Sequence, residues 1–552
     1  VKTAAVASIV ALLATGVPPA SQGWEPEPAA YGVSAPTLTP VRMDDGVMIS
    51  TEVVYPTDPA TGARAAGKFP VLLTQNPYGA GRSDPAASGT YFVQRGYIYV
   101  ASAIRGTGTS GGQVDWFGAR QGKDGANLVN WAAHLPNSDG KVGLDGCSYL
   151  GVDQWFTAAA VGRNSALKAI TPFCTDSDFY NDLTSYGGIP TTFVAGIARA
   201  EPRGPEDDPA TDPQSVTVAQ QAAGGPRSYD NEYWQNLDVQ KLLPTIVSNG
   251  VPALTEAGWR DLFPGGNLGA YVAAQNAYFH RPLTAPIANG EPTTGRYQAI
   301  VGPWTHGEHV NETTLEEIRL EWFDTWLKGE RTGMADTRTP LHLFENTTNR
   351  WVDTSAWPPS PQAKSYRFDT TGTLAWAPNS SLTYTTPPIN GVLDGPSDLT
   401  VYATSTTPEV ELSATVNVIR ADGTVVKQAD GILLGSQRKL DNGQSWYGTG
   451  HTLIQPSHPF TQTSQVPVPV GRLTRYDIPL LANFTELTVG DRLQVVLTSQ
   501  PPASLHLQTA PTPQEKTNLA GGVYTITSAT LNVPLASPNI FRTSPRNWGP
   551  SN

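Results

Sequence analysis

Val142-Gly-Leu-Asp-Gly146-Cys147-Ser148-Tyr149-Leu150-Gly151 is a short apolar segment running into a serine two residues after a glycine. A helical period follows, with Val152, Trp155, Phe156 and Ala159 three and four apart. A serine held between a strand and a helix and flanked by small residues is the setting of a nucleophile elbow, in which a strained turn exposes the hydroxyl at the end of a sheet. The usual spacing is Gly-x-Ser-x-Gly. Here the second glycine comes one residue later, at Gly151. The stretch also reads as a plain strand–helix turn with a capping serine, so its surroundings have to decide.

Outward from the elbow, residues 41–357 alternate short apolar strands with helical periods. Strands are predicted at 51–55, 69–74, 97–103, 142–144, 167–171, 253–257 and 298–301, and helices at 123–135, 149–161 and 315–327. This alternation predicts a largely parallel sheet covered on both faces. Residues 176–243 break the regularity with Pro-Arg-Gly-Pro (202–205) and Ala-Ala-Gly-Gly-Pro (222–226), and read as an insertion over the sheet's end. Past Trp357-Pro-Pro-Ser-Pro361 helical periods vanish. Alternating strands take over at 399–404, 410–419, 478–481, 493–498 and 524–533, with turn signals at Asp422-Gly423 and Asp441-Asn-Gly443. This predicts an all-β sandwich or jelly roll.

A serine nucleophile needs a base, and the base needs an orienting carboxylate. In a sheet of this type the chain order is Ser, acid, His. After the strand at 253–257 comes Gly258-Trp-Arg-Asp261, and after that at 298–301 comes Gly302-Pro-Trp-Thr-His306. Of the eight histidines only His306 has this placement. His309 is a decoy three residues on, His134 and His280 read as helix residues, and His342 lies in a strand. Asp261 also reads as a helix cap before Leu262-Phe263.

With these residues in view the chain resembles the X-Pro dipeptidyl-peptidase and cocaine-esterase group of α/β hydrolases. The resemblance is carried by Asp44-Asp-Gly46-Val, Asn76-Pro77-Tyr78, Arg105-Gly106 with Ser110-Gly-Gly, Gly146-Cys-Ser148-Tyr149-Leu-Gly151, Gly258-Trp-Arg-Asp261, Gly302-Pro-Trp-Thr-His306 and Trp322-Phe-Asp-Thr-Trp-Leu-Lys-Gly329. The group's Gly-x-Ser-Tyr-x-Gly form matches the elbow as found. The resemblance implies an α/β hydrolase with a helical cap and a C-terminal jelly-roll, galactose-binding-like domain. It also implies a serine hydrolase with Ser148 as nucleophile, Asp261 as orienting acid and His306 as base, and with the Tyr78 hydroxyl and Tyr149 backbone N–H as oxyanion hole. The expected layout is a secretory signal at 1–22, the hydrolase at 38–355 with its cap at about 176–245, and the β domain at 362–540. No cofactor and no metal is expected.

Two positions depart from the group's pattern. An Asp is common two residues before the Arg of Arg-Gly; here it is Ala103, which leaves the partner of Arg105 open. Glu256 stands where a strand usually carries an apolar residue. It reads either as a substrate-binding carboxylate or, as preferred, an edge residue facing solvent. Substrate class stays open. An X-Pro peptidase needs a carboxylate for the substrate's ammonium, with Asp176, Asp178, Asp182 and Glu256 as candidates, whereas an esterase needs only an apolar pocket.

The two cysteines, Cys147 and Cys174, cannot form a zinc site alone. Cys147 ends one strand and Cys174 follows the next in sequence. Neighbouring parallel strands lie about 4.8 Å apart, within reach of a disulfide, whose Cα atoms sit about 4.4–6.8 Å apart. The other reading is two small buried residues that never touch. Lys2 and the apolar run Ala4–Gly16 have the pattern of a secretory signal, too short for a membrane span, so an exported protein is expected. The 552 residues predict two or three domains. A net charge of −12 gives no electrostatic reason to bind nucleic acid or anionic lipid. Expected partners are therefore an ester, amide or short peptide substrate, with a homodimer compatible. The rival reading is a catalytically weak carbohydrate- or surface-binding protein built on the β-sandwich. It would have been favoured by loss of Ser148 or His306, and neither is lost.

Overall fold

The computed structural model describes residues 24–78, 85–200, 203–208, 210–306, 308, 313–369 and 371–549. The expected signal segment and His309 lie outside the described residues. Ten strands form the main sheet: β1 (Thr37–Leu38), β2 (Thr51–Val54), β3 (Phe69–Asn76), β4 (Ile98–Ala103), β5 (Ser138–Cys147), β6 (Leu167–Phe173), β7 (Ala253–Gly258), β8 (Tyr297–Gly302), β9 (Leu341–Glu345) and β10 (Arg350–Thr354). Their order in space is β10-β9-β8-β7-β6-β5-β3-β4-β2-β1. Strands β3 to β9 run parallel, and both edges are antiparallel. All eight residues of β3 are buried, as expected of a strand covered on both faces.

One face packs under α2 (Ala119–Ala133), α3 (Tyr149–Ala160), α6 (Val239–Asn249) and α7 (Pro264–Tyr278); the other packs under α1 (Pro85–Val93) and α8 (Thr313–Phe323). The cap between β6 and α6 includes α4 (Phe193–Ala200) and α5 (Pro213–Ala222). Helices α1 and α7 have no signature in the sequence reading. α7 begins Pro-Gly-Gly and is buried on two sides, Leu268, Tyr271 and Val272 in one cluster and Ala270, Ala273, Ala274 and Ala277 in another, so no one-sided apolar stripe marks it. His134 caps α2, but His280 is not helical: it sits in the turn after α7 at φ +57°. Among the described residues no helix is long and apolar enough to cross a membrane.

The C-terminal region is built on two antiparallel sheets, with a two-stranded ribbon at Trp446–Gly448 and Thr452–Gln455 besides. One contains β11 (Ala363–Phe368), β12 (Gly372–Ala375), β14 (Gly391–Ser405), β17 (Thr474–Leu487) and β19 (Val523–Ala536). The other contains β13 (Ser381–Thr385), β15 (Glu411–Ile419), β16 (Val425–Leu434) and β18 (Arg492–Thr498). Asp422-Gly423 turns β15 into β16 as the sequence predicts.

After β19 the tail 541–549 returns to the main sheet. Ser544 N–H donates to Trp351 O at 2.7 Å, and its hydroxyl donates to Asp353 Oδ2 at 2.6 Å. Trp548 stacks on buried His342 at 3.5 Å and donates its indole N–H to Asp353 Oδ1, which also lies 2.7 Å from His342 Nδ1. Gly549 lies so close to the Trp304 ring that a Cβ there would come within 2.4 Å of it. Trp304 is two residues before His306, so the tail backs the loop that carries this histidine. Trp548→Ala removes an indole that is 95% buried and strips a partner from Asp353. It is expected to cost about 3–5 kcal/mol and to lower kcat more than it raises KM. Thermal melts and steady-state kinetics check this; an unchanged midpoint would show the tail to be passive.

Candidate active site

In an open α/β sheet the crevice forms where strand order reverses, outside the carboxyl ends of the strands. Here that point lies between β3 and β5. β3 runs into Asn76-Pro77-Tyr78 and β5 into Cys147-Ser148, so the elbow and the Tyr78 loop face each other across the switch. Ser148 has φ 59° and ψ −127°, a conformation few non-glycine residues hold. It persists because both sides of the turn are glycine. A Cβ on Gly146 (φ +156°) would meet Leu150 Cβ at 2.5 Å, and one on Gly151 would meet Thr175 Cγ2 at 2.5 Å and the Gly146 carbonyl at 2.8 Å. The close approach to the strand therefore falls at residue 151 rather than 150, which gives the Gly-x-Ser-x-x-Gly spacing its physical reason.

Ser148 Oγ lies 3.0 Å from His306 Nε2, and His306 Nδ1 lies 2.7 Å from Asp261 Oδ1. The Asp261 side chain is fully buried and accepts from the Leu262 and Phe263 backbone N–H groups. It is not a helix cap: the N-cap of α7 is Phe263. The loops bearing Asp261 and His306 are tied together. Trp259 N–H donates to Gly302 O at 2.8 Å, Arg260 N–H donates to Trp304 O at 3.2 Å, and the Arg260 side chain donates to Pro303 O at 2.7 Å. Only glycine fits at 258, where a Cβ would lie 2.0 Å from Trp304 O. Phe263 meets the His306 ring edge-on at 5.5 Å and Phe193 of the cap stands 6.1 Å beyond, so the exposed side of the imidazole borders apolar rings.

Tyr78 N–H is held by Asn76 Oδ1 at 2.8 Å, and its ring lies edge-on to that of Tyr149 at 6.5 Å. Tyr149 is fixed by Phe117 at 4.0 Å and by its hydroxyl to Gln121 Oε1 at 2.9 Å. Tyr149 directly follows Ser148, and Tyr78 packs against Tyr149. Cys147 and Cys174 are joined, with Cα atoms 5.4 Å apart. The bridge ties the residue before Ser148 to the start of the cap, and Cys147 Sγ lies 3.8 Å from the His306 carbonyl.

Arg105 has a partner after all. It makes two hydrogen bonds to Asp124, at 2.7 and 2.9 Å, and pairs with Asp45 at 2.8 Å, so the aspartate missing at 103 is replaced from α2 and from the Asp44-Asp-Gly46 turn. Glu256 is neither an edge residue nor exposed. It is fully buried in a central strand, 4.0 Å from Arg319, which also pairs with Asp145. Burial pushes its carboxyl up to about 8, against the pull of Arg319. Strand alternation alone could not show that an arginine from α8 reaches this position.

A cavity of about 620 Å³ is not lined by Ser148, Asp261 or His306. It lies where cap, α7 and β domain meet, and Asp178, Asp182, Asp230 and Asp238 face Trp446 and His458 across it. Burial, with Asp178 adjacent, raises Asp182 and Asp238 to about 7. Asp176 is buried and does not line this cavity. The β domain also approaches the loop that carries Asp261. Thr192 N–H donates to Gln508 O at 2.9 Å, and Leu505 and Leu507 join a cluster against which Leu262, the neighbour of Asp261, packs.

Comparison with known proteins agrees with this architecture. Residues 45–308 match the profile of the X-Pro dipeptidyl-peptidase (S15) family, and residues 360–529 match that of the X-Pro dipeptidyl-peptidase C-terminal non-catalytic domain. Cocaine esterase from Rhodococcus sp. (strain MB1 Bresler) is 26% identical over 370 residues, which is 59% of this chain and 60% of the esterase's length. A CocE/NonD family hydrolase from Staphylococcus aureus superposes with a TM-score of 0.70 at 20% identity, over 90% of this chain and 93% of that one. An alpha-amino acid ester hydrolase does so with a TM-score of 0.66 at 16% identity, over 95% of this chain and all of the other.

Proposed function

The chain belongs to the X-Pro dipeptidyl-peptidase and cocaine-esterase family of α/β hydrolases, and we propose that it is a serine hydrolase cleaving carboxylic ester or amide bonds through an acyl-enzyme. The observation that carries this is the hydrogen-bonded chain from Ser148 Oγ through His306 to buried Asp261, with links of 3.0 and 2.7 Å. In this reading Ser148 Oγ attacks the substrate carbonyl carbon while His306 Nε2 takes its proton. His306 gives that proton to the departing alcohol or amine. Water, deprotonated by His306, then attacks the acyl group, and the acid leaves as Ser148 regains its hydrogen. Asp261 holds the imidazole with its proton on Nδ1 and stabilises the imidazolium that forms.

The Tyr78 hydroxyl and Tyr149 backbone N–H are proposed to receive the oxyanion. Such donors act mainly on the transition state, and one is worth about 100- to 1,000-fold. Tyr78→Phe is therefore expected to lower kcat by about that factor with little change in KM. A variant in which only KM moves would make Tyr78 a substrate-binding residue. Labelling by a fluorophosphonate, which reacts with activated serines, tests the class of enzyme. Turnover of an X-Pro-nitroanilide, phenyl acetate, an aryl benzoate and an α-amino acid ester then separates the peptide from the ester reading. Export belongs to the same proposal, supported by Lys2 with the apolar run Ala4–Gly16 and by the cysteine pairing, since disulfides persist in oxidising compartments. Recovery of the protein from the medium of expressing cells tests it.

A further inference from the structure

We propose that the elbow carries a latent site for a thiophilic divalent cation such as Zn²⁺ or Cd²⁺, opened by reduction of the Cys147–Cys174 bond, whose occupation withdraws His306 from Ser148 and Asp261. Among the described residues, Cys147, Cys174 and His306 are the one group of three His, Cys, Asp or Glu side chains whose ligand atoms lie within 4.8 Å of one another. Two thiolates and an imidazole are the ligand set of a soft or borderline metal, and they disfavour calcium and magnesium. Zinc takes sulfur at about 2.3 Å and nitrogen at about 2.0–2.1 Å, so closing the group around an ion asks for shifts of an ångström or so.

The backbone, not the bond, keeps the sulfurs together. Cys147 is registered opposite Phe173 in the β5–β6 ladder, Ser148 N–H donates to Phe173 O at 3.0 Å, and Cys174 N–H donates to Glu256 O at 2.8 Å. Reduction leaves these bonds in place and turns the pair into two adjacent thiols. Access favours one order of events. Cys174 is fully buried, whereas Cys147 is half-buried and the His306 side chain is 28% exposed. A dithiol attacks Cys147 Sγ through its thiolate and the S–S bond breaks. Cys174 leaves as thiolate and takes a proton. The second thiol then displaces Cys147 from the mixed disulfide, so the dithiol is oxidised to its own disulfide as the protein gains two electrons and two protons. Binding of M²⁺ releases the two thiol protons and leaves the site with no net charge.

His306 has two ring nitrogens. One faces Asp261 and the other Ser148, so coordination through either one breaks a link of the catalytic chain. This consequence for activity rests on the role of His306 proposed above; the binding does not.

The test uses the full chain, oxidised or reduced with a phosphine that is removed without air before titration with Cd²⁺. Thiolate-to-cadmium charge-transfer absorbance reports binding, and ester turnover reports activity. Reduced protein is expected to bind one Cd²⁺ per chain and to lose more than about tenfold of its turnover, a loss reversed by a chelator. Oxidised protein should show neither effect. His306→Ala should weaken the cadmium binding read by absorbance, and Cys174→Ser should abolish it. A reduced protein without the charge-transfer band overturns the proposal, as does a band indifferent to His306→Ala. A band that weakens in His306→Ala while wild-type turnover is untouched supports the site and overturns His306 as the base.

Discussion

Ser148→Ala is expected to lower kcat/KM by about 10⁴- to 10⁶-fold while leaving the thermal midpoint within a degree or two of wild type. The two halves of this expectation come from different observations. The loss of rate follows from the link between Ser148 Oγ and His306 Nε2, because no other hydroxyl is bonded to that imidazole among the described residues. Without the nucleophile, only oxyanion donors and binding contacts remain to assist water. The unchanged stability follows from the turn. What holds residue 148 at positive φ is the packing of Gly146 and Gly151 and the bond from its N–H to Phe173 O, and alanine keeps all of these. Steady-state kinetics on the ester panel, beside a thermal melt, check both halves. A folded variant within about tenfold of wild type, a barrier difference of only about 1.4 kcal/mol, would exclude Ser148 as the nucleophile.

The residues most legible in the sequence were those fixed by strand ends. Ser148, Asp261 and His306 lie one, three and four residues past the ends of β5, β7 and β8, so chain order and spacing alone brought them to one edge of the sheet. Cys147 and Cys174 were legible for the same reason, since both lie at the carboxyl ends of adjacent strands. What escaped depended on contacts between elements distant in sequence. Arg105 draws Asp124 from α2 and Asp45 from an earlier turn, and neither shares a local pattern with it. Glu256 was misread because strand alternation does not distinguish a solvent-facing position from one that meets a buried arginine on a helix. The return of Ser544 and Trp548 to β9 and β10 carried no periodic signal, because the tail has no regular structure of its own. Helix α7 was missed since it is buried on two sides, by Leu268, Tyr271 and Val272 and by its alanines, so no single apolar stripe sets one face apart.

Asp261→Asn is expected to lower kcat by about 10⁴-fold, and here the cause is a proton's position. The buried carboxylate accepts the Nδ1 proton of His306, which leaves Nε2 bare to receive the proton of Ser148. An asparagine amide at the same place can turn its NH₂ toward Nδ1. That fixes the imidazole proton on Nε2, where it points at Ser148 Oγ and cannot accept from it. The side chain keeps its size, but Oδ1, the atom that faces Nδ1, is also the acceptor for the Leu262 and Phe263 N–H groups, so the turned amide gives up those two bonds while the backbone ties among residues 258–306 survive. The predicted signature is a loss of kcat matched by a loss of fluorophosphonate labelling rate, since both need an activated serine, with KM little changed and the thermal midpoint lowered by the loss of the two backbone bonds. If labelling stayed at the wild-type rate, Asp261 would be holding the loop rather than the tautomer, and another acceptor would have to lie against His306 Nδ1.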